Sequence, residues 1–241
     1  MSNKRRLRIA SYNINGINSR LDVLTRWLDE FMPDIVGLQE LKCTDEAFPN
    51  EAIEALGYRA IWHGQRSWNG VALLSRVGEP VETRRSLPDD PDLEQSRYIE
   101  AAVLGVLVGN LYAPNGNPWP GPKFEYKLAW LAALKGHALD LLDSKLPAIL
   151  IGDFNVIPTD QDVYKPERWA KDALFAPAAR EKYRELVGQG LGGRHPRAPS
   201  RGAHLHVLAL LAKLVPARCR DPHRPCAAEP VPGEETESCG R

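Results

Sequence analysis

The chain has 241 residues, enough for one large domain or two small ones, and is 43% hydrophobic and 26% charged, an ordinary globular composition. Lys+Arg and Asp+Glu both number 31, so the formal net charge is zero and no global field favours nucleic acid; any DNA contact needs a local basic surface. No apolar run approaches the roughly 20 residues of a membrane span.

Residues 1–6 are basic, but Asn13 and Asn15 interrupt the stretch that follows and leave no signal-peptide core, so a cytoplasmic protein is expected. Apolar, β-branched runs predict strands over 7–12 and 34–39, mostly too continuous for a wet face. Between them Leu21, Leu24, Leu28 and Phe31 mark one face of a helix, with Asn18 or Ser19 as its cap. Strands are expected again at 58–63, 70–75, 101–112 and 147–151. A longer helix is predicted from about 123 to 144, with Leu128, Leu131 and Leu142 on related turns. Helices covering sheets make this an α/β chain, and strands without long helices between them predict antiparallel pairing too. The four cysteines lack metal-ligand spacing and form no disulfide framework; only Cys43 lies in the first 190 residues.

Polar clusters stand just past several of these strands. Gly152-Asp153-Phe154-Asn155 follows Ala148–Ile151, and its Asp and Asn would face the strand's carboxyl end, where α/β ligands bind; a plain turn fits the same residues. Asn13, before Ile14-Asn15-Gly16, carries the same two readings. Glu40 follows Ile35–Gln39, where an acid is costly unless exposed, paired or metal-bound, and a salt bridge to Lys42 is the alternative. Tyr112 reads as a core aromatic with its hydroxyl at the rim. His63 and His137 are expected to be structural.

Together these residues suit Mg²⁺, which takes one or two carboxylates, keeps several waters and leaves room for a phosphate. Glu40 would ligate the metal, with Asn13 in its shell. Asp153 would orient or deprotonate the attacking water, while Asn155 and Tyr112 would contact the phosphate.

The same stretches, with Trp62–Gln65, Asn69–Leu74, Ser96–Ile99, Tyr112–Gly116 and Asp162–Trp169, resemble the exodeoxyribonuclease III family of DNA-repair nucleases over residues 6–190. The resemblance implies a four-layer α/β sandwich, two mixed sheets face to face with helices outside. It implies hydrolysis of DNA phosphodiesters with Mg²⁺, or Mn²⁺ in its place: a 3′→5′ exonuclease that also incises beside abasic sites. It further implies Asn13, Glu40, Asp153 and Asn155 at the metal, Tyr112, Asp153 and Asn155 in catalysis, and a monomer acting on double-stranded DNA with abasic sites or 3′ ends. Arg97, Tyr164, Lys165 and Arg168 become candidate DNA contacts, with a solvated charged surface as the alternative.

After Gly190 the resemblance stops. Residues 191–241 contain no Phe, Trp, Tyr, Ile or Asn, but hold three of the four Cys, four of the six His and seven of the 20 Pro. Such composition usually marks disorder, yet the run Val207–Leu211 is strongly apolar. The family pattern continues with a Trp-x-Asp, a Tyr-x-Phe-Trp, an Arg-Ile-Asp and a final Ser-Asp-His, none of which occurs here. Back-translating Arg201–Ala212 within codon degeneracy and reading from the second base gives Glu-Glu-Arg-Ile-Tyr-Thr-Phe-Trp-His-Tyr-Trp, the missing segment.

We therefore read 1–190 as an incomplete nuclease domain and 191–241 as an out-of-frame, poorly ordered tail, the slip lying near codon 191. Resequencing that finds this frame intact through codon 241 would refute that reading. The expected cost is a second sheet short of strands and a site without its second metal carboxylate and its imidazole, hence almost no activity in this chain. Two alternatives remain: a catalytically dead DNA-binding remnant, and a phosphatase or lipid phosphodiesterase of the same superfamily.

Overall fold

A computed structural model describes residues 7–190, 192–194 and 209–211. It contains two sheets. The first joins β1 (Ile9–Asn13), β2 (Ile35–Gln39), β3 (Arg59–His63) and β4 (Val71–Ser75) in the order β1-β2-β4-β3. Only β1 and β2 run parallel; β4 is antiparallel to both its neighbours. The second sheet is formed by β5 (Val81–Arg84), β6 (Tyr98–Val103), β7 (Val106–Tyr112), β8 (Ala148–Asp153), β9 (Gly192–Arg194) and β10 (Ala209–Leu211), in the order β5-β6-β7-β8-β10-β9. Here β7 and β8 are the parallel pair.

The central strands of each sheet are covered on both faces, which is why β2, β4 and β8 lack a wet side. Ile35, Val71, Leu73, Ile99, Val108 and Ile151 fill the space between the sheets. The outer face of the first sheet buries Val36, Leu38, Ala72 and Leu74 against Leu24 and Leu28 of α1 (Leu21–Phe31) and Ile53 of α2 (Asn50–Glu54). The outer face of the second buries Leu111 and Leu150 against Trp130, Leu131 and Leu134 of α3 (Pro122–Asp143) and Tyr183 and Leu186 of α4 (Pro177–Val187). Helix, sheet, sheet, helix: this is the expected four-layer α/β sandwich.

One polar cluster interrupts the central layer. Asn110 of β7 donates from Nδ2 to the carbonyls of Leu38 (2.8 Å) and Ala72 (2.9 Å) in the opposite sheet. Its Oδ1 accepts from Gln39 Nε2 at 2.6 Å, and the same nitrogen reaches Ser11 Oγ at 3.0 Å. Gly37 makes room, since a Cβ there would stand 2.5 Å from Asn110 Oδ1. Polar groups this deep are tolerated only when hydrogen-bonded, and the three bonds to Asn110 run from sheet to sheet.

Several sequence expectations change. The run 101–112 is not one strand but the end of β6 and all of β7, a hairpin whose turn residues Leu104 and Gly105 both have positive φ, 51° and 79°. Two positive-φ residues match the right-handed twist of paired strands, but a leucine in the first of them hid the turn. Helix α1 has no side-chain cap: Asn18–Arg20 form a 3-10 turn, and Ser19 instead donates to the Gly16 carbonyl. Phe31, read as part of the buried face, is 52% exposed at the helix's end. The long helix runs 122–143, opened by a proline in its first turn. The edge strand β5 and helix α4 were not anticipated.

Beyond residue 190, β10 pairs antiparallel with β8, Leu210 opposite Leu150 and Leu211 opposite Ile149, and β9 pairs with β10. The second sheet therefore does continue past β8, along a short stretch. The rest of the expected out-of-frame tail lies outside the described residues. Among the described residues no helix is long and apolar enough to cross a membrane.

Candidate active site

The carboxyl ends of β1, β2, β7 and β8 lie at one edge of the sandwich. Asn13, Tyr112 and Asp153 are the last residues of β1, β7 and β8, and Glu40 follows β2 directly. Both sheets thus contribute. Backbone conformation aims these groups: Glu40 and Asn155 adopt left-handed φ of 54° and 49°, positions rare for residues with a Cβ. Gly152 is required, because at φ +140° a Cβ would lie 2.0 Å from the Leu111 carbonyl of the adjacent strand.

The side chains interlock. Asn13 Nδ2 donates to Glu40 Oε1 at 2.9 Å and to Asp153 Oδ2 at 3.0 Å. Tyr112 donates its hydroxyl to Glu40 Oε1 at 2.9 Å. Lys42 Nζ stands 2.8 Å from Glu40 Oε2 and 2.5 Å from Asn15 Oδ1. The salt bridge offered as the plain reading of Glu40 exists, then, but as one of three partners rather than the whole explanation. Asp153 Oδ1 accepts from the Asn155 amide at 2.9 Å, while Asn155 Nδ2 turns inward to the Ala113 carbonyl at 2.7 Å.

Burial pushes the Glu40 carboxyl up, but hydrogen bonds from Lys42, Asn13 and Tyr112, with the charge of Lys42, outweigh it and hold the group below its ordinary range. Glu40 is therefore ionised at neutral pH. Burial raises the Tyr112 phenol well above its usual value, and the Glu40 charge beside it adds to the effect.

Arg97 is not on the surface. Its guanidinium lies 5.3 Å from the Tyr112 ring centroid and 5.8 Å from that of Tyr126, and donates to Gln95 Oε1 (2.8 Å) and the Tyr112 carbonyl (3.2 Å). It holds the end of β7 from beneath. Tyr164, Lys165 and Arg168 do lie outside, Tyr164 80% exposed with Lys165 Nζ 5.2 Å over its ring. Their segment is carried by a 3-10 turn at Pro166–Trp169.

Two residues escaped the sequence reading. Lys127 of α3 is 0% exposed and donates to the carbonyls of Asn115 and Asn155, joining the turns after β7 and β8. Burial pulls its ammonium down to about 7 against the opposing pull of Asp153 and Asp172. Its signal was periodicity: it shares a helix face with Phe124, Trp130, Leu131 and Leu134. Trp68, 70% exposed in a polar loop with Lys42 Nζ 5.6 Å over its ring, rims the other side of the site. His137 sits far inside, Nε2 2.9 Å from Glu100 Oε2 and 3.0 Å from the Tyr98 hydroxyl, a structural role as expected.

Among the described residues no three His, Cys, Asp or Glu side chains converge as a metal cluster. What is present around Asn13 is a set of hard oxygens from one ionised glutamate, one aspartate and two amides. That set is chemically suited to a hard divalent cation and unsuited to a thiophilic one.

The sequence pattern of the Endonuclease/Exonuclease/phosphatase family matches residues 10–210. Exodeoxyribonuclease III of Haemophilus influenzae is 36% identical over 196 residues, 77% of this chain and 73% of that protein. Among solved structures, an AP endonuclease from Archaeoglobus fulgidus aligns with a TM-score of 0.75 and 30% identity, covering 85% of this chain and 87% of its own. A 3′–5′ exonuclease from Neisseria meningitidis aligns at 0.74 with 38% identity, covering 77% and 72%. With this interlocked site on a four-layer sandwich, the chain belongs to the Endonuclease/Exonuclease/phosphatase family, on its exodeoxyribonuclease III and AP-endonuclease branch.

Proposed function

We propose that the gene encodes a DNA-repair nuclease hydrolysing phosphodiesters with Mg²⁺, or Mn²⁺ in its place, as a 3′→5′ exonuclease and an abasic-site endonuclease. One observation carries the reading: Asn13, Glu40, Tyr112 and Asp153, spread over two sheets, are drawn together by hydrogen bonds at one edge, in a chain 36% identical to an exodeoxyribonuclease. Glu40, with Asn13 beside it, would hold the cation, with Asp153 and Asn155 as further donors. The cation's contribution when bound is to neutralise charge on the phosphate and lower the pKa of water. Asp153 would orient or deprotonate the attacking water, and Tyr112 and Asn155 would steady the phosphate. Arg97 would act through Tyr112. Lys165 and Arg168 would track the DNA backbone by charge, and Tyr164 would contact it through its hydroxyl or ring. Duplex DNA with abasic sites or 3′ ends is the partner, a monomer the working form and the cytoplasm the location.

This particular chain we propose to be almost inactive: residues 1–190 are the nuclease domain, and the tail lacks the Arg-Ile-Asp and Ser-Asp-His that the family pattern supplies. That absence also favours the second reading, a DNA-binding remnant. The deciding assay is Mg²⁺-dependent incision of a duplex with one abasic site, by this chain and by a version with the frame restored at codon 191. Incision only by the restored chain supports both statements. Equal incision by both would refute the inactivity, and incision by neither, with turnover of inositol phosphates, would move the protein to the phosphatase or lipid-phosphodiesterase branch.

A further inference from the structure

The turns that close β7 and β8 are joined by a residue that belongs to neither. The first, Ala113-Pro114-Asn115-Gly116, follows Tyr112, and the second, Phe154-Asn155, follows Asp153. Tyr112 and Asp153 face each other in the parallel pair, and the Ala113 amide donates to the Asp153 carbonyl at 2.8 Å. From α3, Lys127 Nζ donates to the Asn115 carbonyl at 3.0 Å and to the Asn155 carbonyl, so one side chain reaches both turns.

The second turn needs that hold. Asn155 is buried with a left-handed φ of 49°, a conformation that persists in a residue with a Cβ only where its surroundings fix it. Its amide donates to Asp153 Oδ1 at 2.9 Å and its Nδ2 to the Ala113 carbonyl at 2.7 Å, partners that belong to the turns and strand ends themselves. Its carbonyl is served from outside, by Lys127. The first turn is shaped to let this side chain pass: Gly116 has a φ of +90°, and a Cβ on it would stand 2.7 Å from Lys127 Cδ. An amine has two N–H bonds and an ammonium three, so both carbonyls have a donor in either protonation state.

We propose that Lys127 is a positioning residue for the divalent cation: by holding the Asn155 carbonyl it sets the amide that orients the Asp153 carboxylate, and so raises cation affinity without touching the cation. The proposal rests on the cation reading given above. Groups that orient ligands from behind carry about 10–100-fold in metal affinity. Electrostatics alone gives the opposite sign. Lys127 lies close enough to Asp153 for their charges to interact, and removing a positive charge beside a carboxylate favours a cation. Weaker binding without the lysine therefore reports lost geometry, not lost charge.

The test is Mn²⁺ binding by the full chain as it stands, with free Mn²⁺ counted from its EPR signal; the component that Glu40→Gln abolishes belongs to the site. Lys127→Met, similar in size but without a donor, is expected to weaken that component by about tenfold or more. Lys127→Gln, which keeps an N–H donor, should fall between Lys127→Met and the wild type, and takes the place of Lys127→Met if circular dichroism shows the latter unfolded. Leu134→Ala, which opens a cavity further along α3, should lower the melting temperature and leave binding unchanged. Tighter or unchanged binding by Lys127→Met, or by Lys127→Gln in its place, overturns the positioning role while leaving the cation reading intact. Weakening by Leu134→Ala as large as that by the lysine variant overturns it too, because affinity would then follow stability alone. Binding that Glu40→Gln leaves untouched overturns the cation reading and the positioning role together.

Discussion

Asn13 donates to Asp153 across 140 positions of sequence and from one sheet to the other, Nδ2 to Oδ2 at 3.0 Å. The same nitrogen reaches Glu40 at 2.9 Å, so both hydrogens of one amide are committed to two carboxylates. Asn13→Ala would leave those acids facing each other without a donor. A loss of about 1–3 kcal/mol in urea unfolding is expected, with Asn13→Asp worse because a third carboxylate enters. An unchanged midpoint for Asn13→Ala would show that the bridge contributes nothing.

Glu40 supplies a pH test with a definite sign. Its carboxyl is depressed in the folded protein relative to the ordinary 4.5, so its contribution to stability is complete above that value and lost as pH falls through the folded pKa. Comparing wild type with Glu40→Gln by urea unfolding, the wild-type acid limb should be the steeper one below about pH 4.5. Parallel curves would contradict the ion pair with Lys42.

Lys127 has the opposite character. Its folded pKa is about 7 against an ordinary 10.5, so the unfolded chain binds more protons between those values and stability should rise with pH across that window. The penalty of burying the charge is fully present below about pH 7. Lys127→Met removes the group, and its stability should lose that upward slope. A slope that survives the substitution would place its origin elsewhere.

Tyr112→Phe, made in the frame-restored chain, should lower single-turnover incision of abasic duplex by about 10²-fold, the usual effect of losing one donor at a developing charge. The phenol is raised by burial and by Glu40, so it stays a donor throughout the neutral range and should add no limb to the pH–rate profile. A rate within a factor of about two of the unmutated chain would remove Tyr112 from the machinery.

Gly152→Ala tests the close approach of β7 and β8. The added Cβ would stand 2.0 Å from the Leu111 carbonyl, backbone that cannot swing aside, at a φ of +140°. A cost of at least ~3 kcal/mol is expected, seen as loss of the cooperative melt by circular dichroism; a melt within a few degrees of wild type would mean that the strands can part there.

What was legible in the sequence followed physical periodicity. Strands such as Ile35–Gln39 and Ala148–Asp153 are buried on both faces and read as unbroken apolar runs. Glu40 stood out because an acid after a buried strand is costly, and Asp153 because Gly152-Asp153-Phe154-Asn155 closes such a strand at its carboxyl end. The hairpin at Leu104 was hidden because leucine disguises a positive-φ turn. Edge strand β5, exposed at all four positions, carries no alternation to detect. Lys127 escaped although it falls on the apolar face of α3, because a lysine on such a face can equally lead its ammonium back out to water. Arg97 was read as a candidate DNA contact, with a solvated surface as the alternative, and only tertiary contact with Tyr112 and Tyr126 reveals its seat.

The amide cluster of Gln39 and Asn110 bears on alignment more than on cohesion. Asn13 and Glu40 extend from one sheet, Tyr112 and Asp153 from the other, and two greasy layers in face-to-face contact have little to stop them shearing. Asn110, bonded to Leu38 and Ala72 across the gap, acts as a dowel through the joint. A slide of roughly one ångström at a reacting centre is enough to forfeit about a hundredfold in rate. Filling this position with a leucine would leave a well-packed interior whose two halves no longer agree on where the site is.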